Sequence, residues 1–249
     1  MTRIWHQSVN ELDHLTAYRD ALTAHAAAVL PGDVSVEVRG LATGTYGGES
    51  PTAALGNAVS YHRALSQLID LAIAAEAEGY DAFVIGSFSE PFLRELRTAV
   101  DIPVVSMTEA ALLTACSLGR WVGLISNAPA VQWMAQSSVD KHHLGARVLA
   151  VTSLDPLVDE FGLAAAFAEP GAVVDNFTAV ARRLIAGGAD VIIPAEGVLA
   201  RLISQAGLNR IGEAPVLDVF AVAWTQALML ARLWQTTGLR VGREWSYRR

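Results

Sequence analysis

The chain has 249 residues, 52% of them hydrophobic and 17% charged, which is enough apolar material for one large domain or two small ones. Its net charge of −7 excludes a surface built to neutralise a nucleic-acid backbone. No apolar run approaches the ~20 residues that span a bilayer, and no signal peptide follows Arg3. We therefore expect a soluble, cytoplasmic protein without nucleic-acid or membrane partners.

The first half of the chain alternates predicted strands with predicted helices. Hydrophobic periodicity and breaker residues predict strands over residues 3–5, 34–38, 82–86 and 103–105, with helices before Pro31, from Leu65 to Gly79, and around Leu93. A glycine-rich loop over residues 40–51 matches neither a Walker A loop nor a dinucleotide-binding loop. It is either a flap over a site or an ordinary connection.

The second half repeats this alternation. A helix over residues 108–119 precedes strands over 121–125 and 147–151, with a helix after Pro129 between them. Residues 152–170 are less regular, and Asp175 is a candidate N-cap for the helix that ends at Gly187. A strand over residues 191–193, a helix over 198–206, a strand at 216–217 and a last helix over 220–235 complete the order.

Strands that alternate with helices predict parallel sheets built from βαβ units. In such sheets ligands bind beyond the carboxyl ends of the strands. Four loops occupy that position, at residues 6–10, 87–90, 126–127 and 195–197. Their convergence predicts a site for a small molecule.

Two of these loops follow the same local pattern. In each, an aspartate opens an apolar run and a polar residue stands six places later, so that Asp81 leads to Ser87 and Asp190 leads to Glu196. Each run then continues through a helix-like segment to a strand entered by proline, Pro103 in the first copy. We interpret the pattern as one half-unit used twice and expect Ser87 and Glu196 to face each other across a cleft.

At these residues the sequence resembles the aspartate/glutamate racemase superfamily, and within it the hydantoin racemase-like branch. That branch carries Asp-Ala, an apolar run, Cys-Phe-x-Asp-Pro, Leu-Arg, Pro-Val-Val and Glu-Ala-Ala, and later Gly-Cys-Ala-Gly. The matching positions are Asp81-Ala82, Ser87-Phe88-Ser89-Glu90-Pro91, Leu96-Arg97, Pro103-Val104-Val105, Glu109-Ala110-Ala111 and Ala195-Glu196-Gly197-Val198.

The resemblance implies two similar parallel-sheet α/β domains with an inter-domain cleft. The predicted division is residues 1–107 plus 219–249 for the first domain and 108–218 for the second. It also implies a homo-oligomer, a dimer or larger, that works on a small carboxylate or cyclic amide without cofactor or metal. In the family, two cysteines remove and return a proton next to a carboxylate or carbonyl.

The sequence departs from the family at both cysteine positions, which Ser87 and Glu196 occupy. A thiol with a pKa of about 8.5 can be tuned into a carbon base. A serine hydroxyl cannot, unless a neighbouring base activates it. A carboxylate in an apolar cleft can have its pKa raised towards neutrality, so Glu196 is the one competent general base or acid.

Around this pair, the resemblance and the strand-end loops together predict the remaining substrate-binding residues. They are His6, Gln7, Ser8, Phe88, Ser126, Asn127, Ala195 and Gly197. The competing interpretations make Glu196 a carboxylate that binds the start of a helix and Ser87 a turn residue. Glu90 and Glu109 are interpreted as structural, capping helices or pairing with arginines such as Arg97, and His142 as a solvated helix terminus.

Three functions remain open from the sequence. The first is a cofactor-independent racemase or isomerase that transfers a proton next to a carboxylate or carbonyl of an amino-acid derivative, cyclic amide or dicarboxylate, with Glu196 as general base or acid. The second is a hydrolase or decarboxylase on the same scaffold, in which Glu196 activates water or Ser87 is a nucleophile. The third is a binder of small molecules without catalysis.

Overall fold

Two parallel sheets with helices packed around them form the framework of the protein. The computed structural model describes residues 1–248. Strands β1 (Thr2–Ser8), β2 (Val34–Arg39), β3 (Ala82–Gly86) and β4 (Val104–Ser106) form a sheet of order β2-β1-β3-β4. Strands β5 (Val122–Ser126), β6 (Val148–Ser153) and β7 (Val191–Pro194) form a sheet of order β6-β5-β7. Every strand pair within these sheets is parallel, which confirms the predicted α/β class.

The helices alternate with these strands along the chain. In order, they are α1 (Thr16–Val29), α2 (Pro51–Leu55), α3 (Ala58–Leu65), α4 (Gln67–Ala77), α5 (Leu93–Ala99), α6 (Met107–Leu118), α7 (Pro129–Lys141), α8 (Glu160–Ala165), α9 (Gly171–Ala186), α10 (Gly197–Gln205) and α11 (Val219–Thr237). Short 3-10 helices cover Leu12–His14 and Gly145–Arg147. Within residues 1–248, no helix combines the length and the apolar character needed to cross a membrane.

The central strands are apolar because helices cover both of their faces. Every residue of β3 and of β7 is buried, and strands buried on both sides appear in sequence as continuous apolar runs. A single buried cluster joins Ile4 and Val84 of the first sheet with Leu124 and Ile193 of the second. The last helix, α11, returns to pack against β1, β3 and β4. The division into residues 1–107 with 219–249 and 108–218 stays a prediction, and its final residue, Arg249, lies outside the described chain.

The predicted start of the helix after Pro170 is wrong. Asp175 lies inside α9, which begins at Gly171, because Pro170 can precede a helix without losing a needed N–H donor. The less regular segment over residues 152–170 contains one short helix, α8, whose N-cap Asp159 accepts a hydrogen bond from the Gly162 N–H at 2.8 Å.

The strand predicted at residues 216–217 is reduced to one parallel bridge between Val216 and Ile192. Just before it, β8 (Arg210–Ile211) and β9 (Ala214–Pro215) form a short antiparallel hairpin. Gly212 turns this hairpin with a φ of 58°, a value that glycine adopts without strain. After the hairpin, the chain therefore pairs with β7 at one residue only, and the described second sheet has three full strands.

Gly86 ends β3 in very close contact with β1. A Cβ atom there would lie 2.5 Å from His6 Nε2, so we expect Gly86→Ala to lower the free energy of unfolding by about 1–3 kcal/mol. Urea denaturation measures the change. Gly32→Ala is the control, because a Cβ atom at Gly32 meets no atom within 4 Å. Equal stability of the two variants would contradict the close packing of β1 on β3.

Candidate active site

A small cavity lies where the carboxyl ends of the two sheets meet. Its volume is about 40 Å³, which is room for a few water molecules. The residues that line it are Val9, Asn10, Pro51, Thr52, Leu55, Gly86, Ser87, Phe88, Ser89, Val131, Met134, Glu160, Glu196 and Gly197. The first sheet therefore contributes Ser87 and the second contributes Glu196 to one cavity.

The Ser87 hydroxyl stands directly after the last residue of β3. Its oxygen accepts a hydrogen bond from the Ser89 backbone N–H at 3.2 Å and lies 3.0 Å from Ser89 Oγ. The Ser87 carbonyl accepts a hydrogen bond from Thr108 Oγ1 at 3.3 Å, which ties the turn to α6. Neither of the contacts to the Ser87 oxygen comes from a basic side chain, so the hydroxyl lacks the neighbouring base that a nucleophilic serine needs.

The Glu196 carboxylate is the N-cap of α10. It accepts hydrogen bonds from the backbone N–H groups of Val198 at 2.9 Å and Leu199 at 2.7 Å. A carboxylate at this position is also stabilised by the helix dipole. Because Glu196 also lines the cavity, its role as a helix cap is compatible with a role in the site.

Burial dominates the electrostatics of Glu196. Loss of solvent raises the pKa of Glu196 to about 8, and the negative charge of Glu160 adds to the increase, while the capping N–H groups oppose it. A carboxyl group with a pKa near neutrality exchanges its proton readily at physiological pH. The site therefore contains one carboxyl group that can act as base or acid.

Glu160 is a second buried carboxylate that the sequence analysis did not select. It begins α8 and contacts the hydroxyl of Thr52 from α2, while Asn127 Nδ2 donates a hydrogen bond to it at 3.4 Å. None of the lysines, arginines and histidines in residues 1–248 lines the cavity. Two carboxylates thus share a small cavity without a cation on its wall. The sequence feature that could have pointed to Glu160 is the acidic pair Asp159-Glu160. Such a pair at a helix start indicates by itself only a helix cap.

The glycine-rich loop brings α2 over the cavity. The Glu11 carboxylate accepts hydrogen bonds from the N–H groups of Gly44 at 2.9 Å and Tyr46 at 2.6 Å, and the Tyr46 hydroxyl donates to the Val9 carbonyl at 2.6 Å. The loop is therefore an anchored connection, and the part that covers the cavity is α2, through Pro51, Thr52 and Leu55.

The loop after Ser87 is fixed to the second half of the chain by a buried carboxylate. Glu90, with a φ of 47°, lies 2.6 Å from Lys141 Nζ and 2.8 Å from His142 Nε2. His142 is thus a half-buried partner of Glu90 and not the solvated terminus that the sequence predicts. The structural interpretation of Glu109 is confirmed, since it pairs with Arg97.

The predicted substrate-binding residues divide into two groups. Phe88 and Gly197 line the cavity, and Asn127 reaches it through Glu160. Gly197 is required there, because a Cβ atom would lie 2.8 Å from the Tyr18 hydroxyl oxygen. The other members do not line the cavity and their roles stay predictions; they are His6, Gln7, Ser8, Ser126 and Ala195.

Contacts within the protein explain why these side chains lie elsewhere. His6 accepts a hydrogen bond from Trp224 Nε1 at 3.2 Å, and burial lowers the pKa of His6 to about 3, so it is a neutral core residue. Gln7 accepts from Trp5 Nε1 at 2.9 Å and donates to the Ser8 carbonyl at 2.9 Å. Alternation along β1 directs these two side chains to opposite faces of the sheet.

Comparison with known proteins identifies the family of the chain. The family model described as "Asp/Glu/Hydantoin racemase" matches residues 16–227. The chain belongs to this family. Membership supports an enzyme of the racemase/isomerase type. The replacement of two family cysteines by Ser87 and Glu196 stays a prediction.

Individual relatives extend the comparison. A hydantoin racemase from Pseudomonas sp. (strain NS671) is 34% identical over 74 residues, which cover 30% of each chain. The solved allantoin racemase from Klebsiella pneumoniae has a TM-score of 0.78 and 18% identity, covering 99% of this chain and 93% of its own. The allantoin racemase from Pseudomonas fluorescens has a TM-score of 0.75 and 22% identity, covering 99% and 96%. An arylmalonate decarboxylase structure has a TM-score of 0.58 and 17% identity, covering 98% and 96%. These structures share the fold.

Glu196 makes the stability of the protein depend on pH. Because its pKa is raised from 4.5 to about 8 on folding, the folded chain holds the proton more tightly, and the resulting stabilisation is lost as the pH rises between these values. We expect Glu196→Gln to gain at least ~1 kcal/mol of stability relative to the native chain between about pH 5 and about pH 9. Urea denaturation at both pH values measures it.

The control is Glu213→Gln, whose carboxylate is fully exposed on the hairpin. Its stability relative to the native chain should stay constant over the same range. A constant difference for Glu196→Gln as well would show that this carboxyl group keeps an ordinary pKa.

Proposed function

We propose that the protein moves a proton at the carbon next to the carbonyl of a small, uncharged cyclic amide, with Glu196 as general base and acid. The observation that supports this most directly is the buried Glu196 carboxyl group, with its pKa near neutrality, on a cavity that Ser87 also lines. A general base is most effective when its pKa lies near the operating pH and the site around it excludes water. The proposed reaction needs no cofactor.

The charges around the cavity favour a neutral substrate. Glu160 and Glu196 both line it, and no cation described on its wall would offset a substrate carboxylate. A dicarboxylate would place additional negative charge next to these groups, whereas an amide ring would offer N–H donors to the Glu160 oxygens. The named substrates of the relatives, hydantoin and allantoin, are uncharged cyclic amides of this kind.

The proposed step conserves atoms and electrons within the site. The ionised Glu196 carboxylate takes the proton from the ring carbon, and the electron pair of the broken C–H bond moves to the carbonyl oxygen to form an enolate. Return of a proton to that carbon restores the amide, with inversion when the proton arrives on the opposite face. Repulsion from Glu160 keeps Glu196 a strong base, because it raises the pKa of Glu196.

Solvent deuterium incorporation tests this function. We expect the native protein to exchange the ring-carbon proton of 5-methylhydantoin or allantoin in deuterated water, and Glu196→Gln to be slower by about 10²–10⁴-fold. NMR follows the exchange, and Glu213→Gln is the control with native rates. Exchange that survives in Glu196→Gln would remove this residue from the reaction. Ring opening in place of exchange would instead assign hydrolysis, and ligand binding without turnover would assign a binder.

The pH dependence tests the coupling between the two carboxylates. Since the proposed base is the ionised form, kcat/KM for exchange should increase as the pH rises through about 8, the pKa of Glu196. Glu160→Gln removes the negative charge that raises this pKa but keeps an acceptor for Thr52. We therefore expect its rate profile to shift to lower pH. An unshifted profile would contradict the electrostatic coupling.

A further inference from the structure

Inversion needs a proton donor on a second face of the substrate, and Ser87 is a weak donor by itself. Its hydroxyl is, however, the inner end of a chain of three hydroxyl groups. Ser87 Oγ lies 3.0 Å from Ser89 Oγ, and the Tyr61 hydroxyl donates a hydrogen bond to Ser89 Oγ at 3.1 Å. Tyr61 belongs to α3 and thereby connects a phenol to the cavity wall.

The three hydroxyl groups can all donate in the direction of the cavity. Tyr61 donates to Ser89, so the Ser89 hydroxyl proton is available for Ser87 Oγ. The Ser89 backbone N–H already donates to Ser87 Oγ at 3.2 Å. Ser87 Oγ then accepts from Ser89, and its own proton is available to a substrate. This arrangement permits stepwise proton transfer along the chain from Tyr61 to the reacting carbon.

The phenol lies where it can exchange protons with solvent. Tyr61 lines a second cavity of about 310 Å³, which shares the wall residues Leu55, Ser89 and Met134 with the small cavity. Trp133 lies on the same second cavity and is 70% exposed. The outer cavity therefore borders solvent, and the hydroxyl chain crosses the wall between it and the reactive cavity.

We propose that Tyr61 is the proton donor for the Ser87 face and acts through the hydroxyl groups of Ser89 and Ser87. This inference rests on the proposed function. After Glu196 has taken the ring proton, the enolate carbon forms a bond to the Ser87 hydroxyl proton, Ser87 takes the proton of Ser89, and Ser89 takes the proton of Tyr61. The tyrosinate that remains regains a proton from water in the outer cavity, and Glu196 releases the one it took.

The chemistry of a phenol suits both directions of this transfer. A phenol with an ordinary pKa of about 10 is a far stronger acid than a serine hydroxyl and can donate to an enolate. Burial raises the pKa of Tyr61, so the tyrosinate is a correspondingly strong base when the opposite enantiomer reacts. The serines contribute positioned oxygens and no net change of charge.

Tyr61→Phe tests the relay, because it removes one hydroxyl and keeps the ring. Starting from the enantiomer of 5-methylhydantoin whose exchange in deuterated water is slowed by Glu196→Gln, we expect inversion to fall by about 100-fold or more. Exchange with retention on the Glu196 face should stay within about threefold of the native rate, since that face is unchanged. Chiral chromatography measures inversion and NMR measures exchange. Ser87→Ala should show the same separation of the two rates.

The matched control is Tyr80→Phe, whose hydroxyl contacts Glu37 on β2, and both of its rates should be native. Native inversion in Tyr61→Phe would overturn the relay. An equal loss of inversion and exchange in a folded Tyr61→Phe would also overturn it, because the hydroxyl would then be needed for structure. A native protein that neither inverts nor exchanges the substrate would overturn the proposed function and the relay together, which distinguishes it from the first two results.

Discussion

The site depends on the enclosure of two carboxylates in one small cavity. Glu196 is held at the start of α10 by two backbone N–H groups, and Glu160 is held at the start of α8 by Thr52 and Asn127. Burial and mutual repulsion raise the pKa of Glu196, and the helix N-terminus limits the increase. A single carboxyl group is thereby brought near the pH at which it can both accept and release a proton. The charge of the cavity also selects against anionic ligands.

The fold brings these groups together from distant parts of the chain. Ser87 follows a strand of the first sheet and Glu196 follows a strand of the second, so that the cavity lies where the carboxyl ends of both sheets converge. Thr52 reaches Glu160 across 108 positions of the sequence. The buried Glu90 carboxylate pairs with the exposed Lys141 and the half-buried His142, which joins the Ser87 loop to the end of α7. Each half of the site is therefore positioned by contacts to the other half.

Helix caps and hydroxyl chains give the site its asymmetry. On one side the Glu196 carboxylate both caps the start of α10 and lines the cavity. On the other side a serine oxygen is connected through Ser89 to Tyr61. The proposed reaction needs a proton on each face of the substrate and can use two different donors, provided that each exchanges its proton with solvent. The outer cavity next to Tyr61 supplies that exchange on the serine side.

The sequence by itself determined the alternation of strands and helices, the parallel sheets, and the placement of Ser87 and Glu196 at two strand ends. These features follow from hydrophobic periodicity and from breaker residues, which act over a few positions of the chain. The local pattern is also compatible with both interpretations of Glu196. A residue at this strand end can cap the following helix and line the cavity at the same time.

Only the tertiary structure decided which side chains share the cavity. Glu160 lies in a segment without clear periodicity, where the pair Asp159-Glu160 indicates only a helix cap. Tyr61 lies on α3, which precedes the helix that the sequence predicts from Leu65. The loop predicted at residues 6–10 is wrong for residues 6–8, which belong to β1. His6 faces Phe220 and Trp224, because alternation along β1 directs its side chain into the core. Proximity between residues far apart in sequence, and the pKa shifts that result from it, depend on how the two sheets meet. That arrangement is set by long-range packing, which no single segment of the sequence specifies.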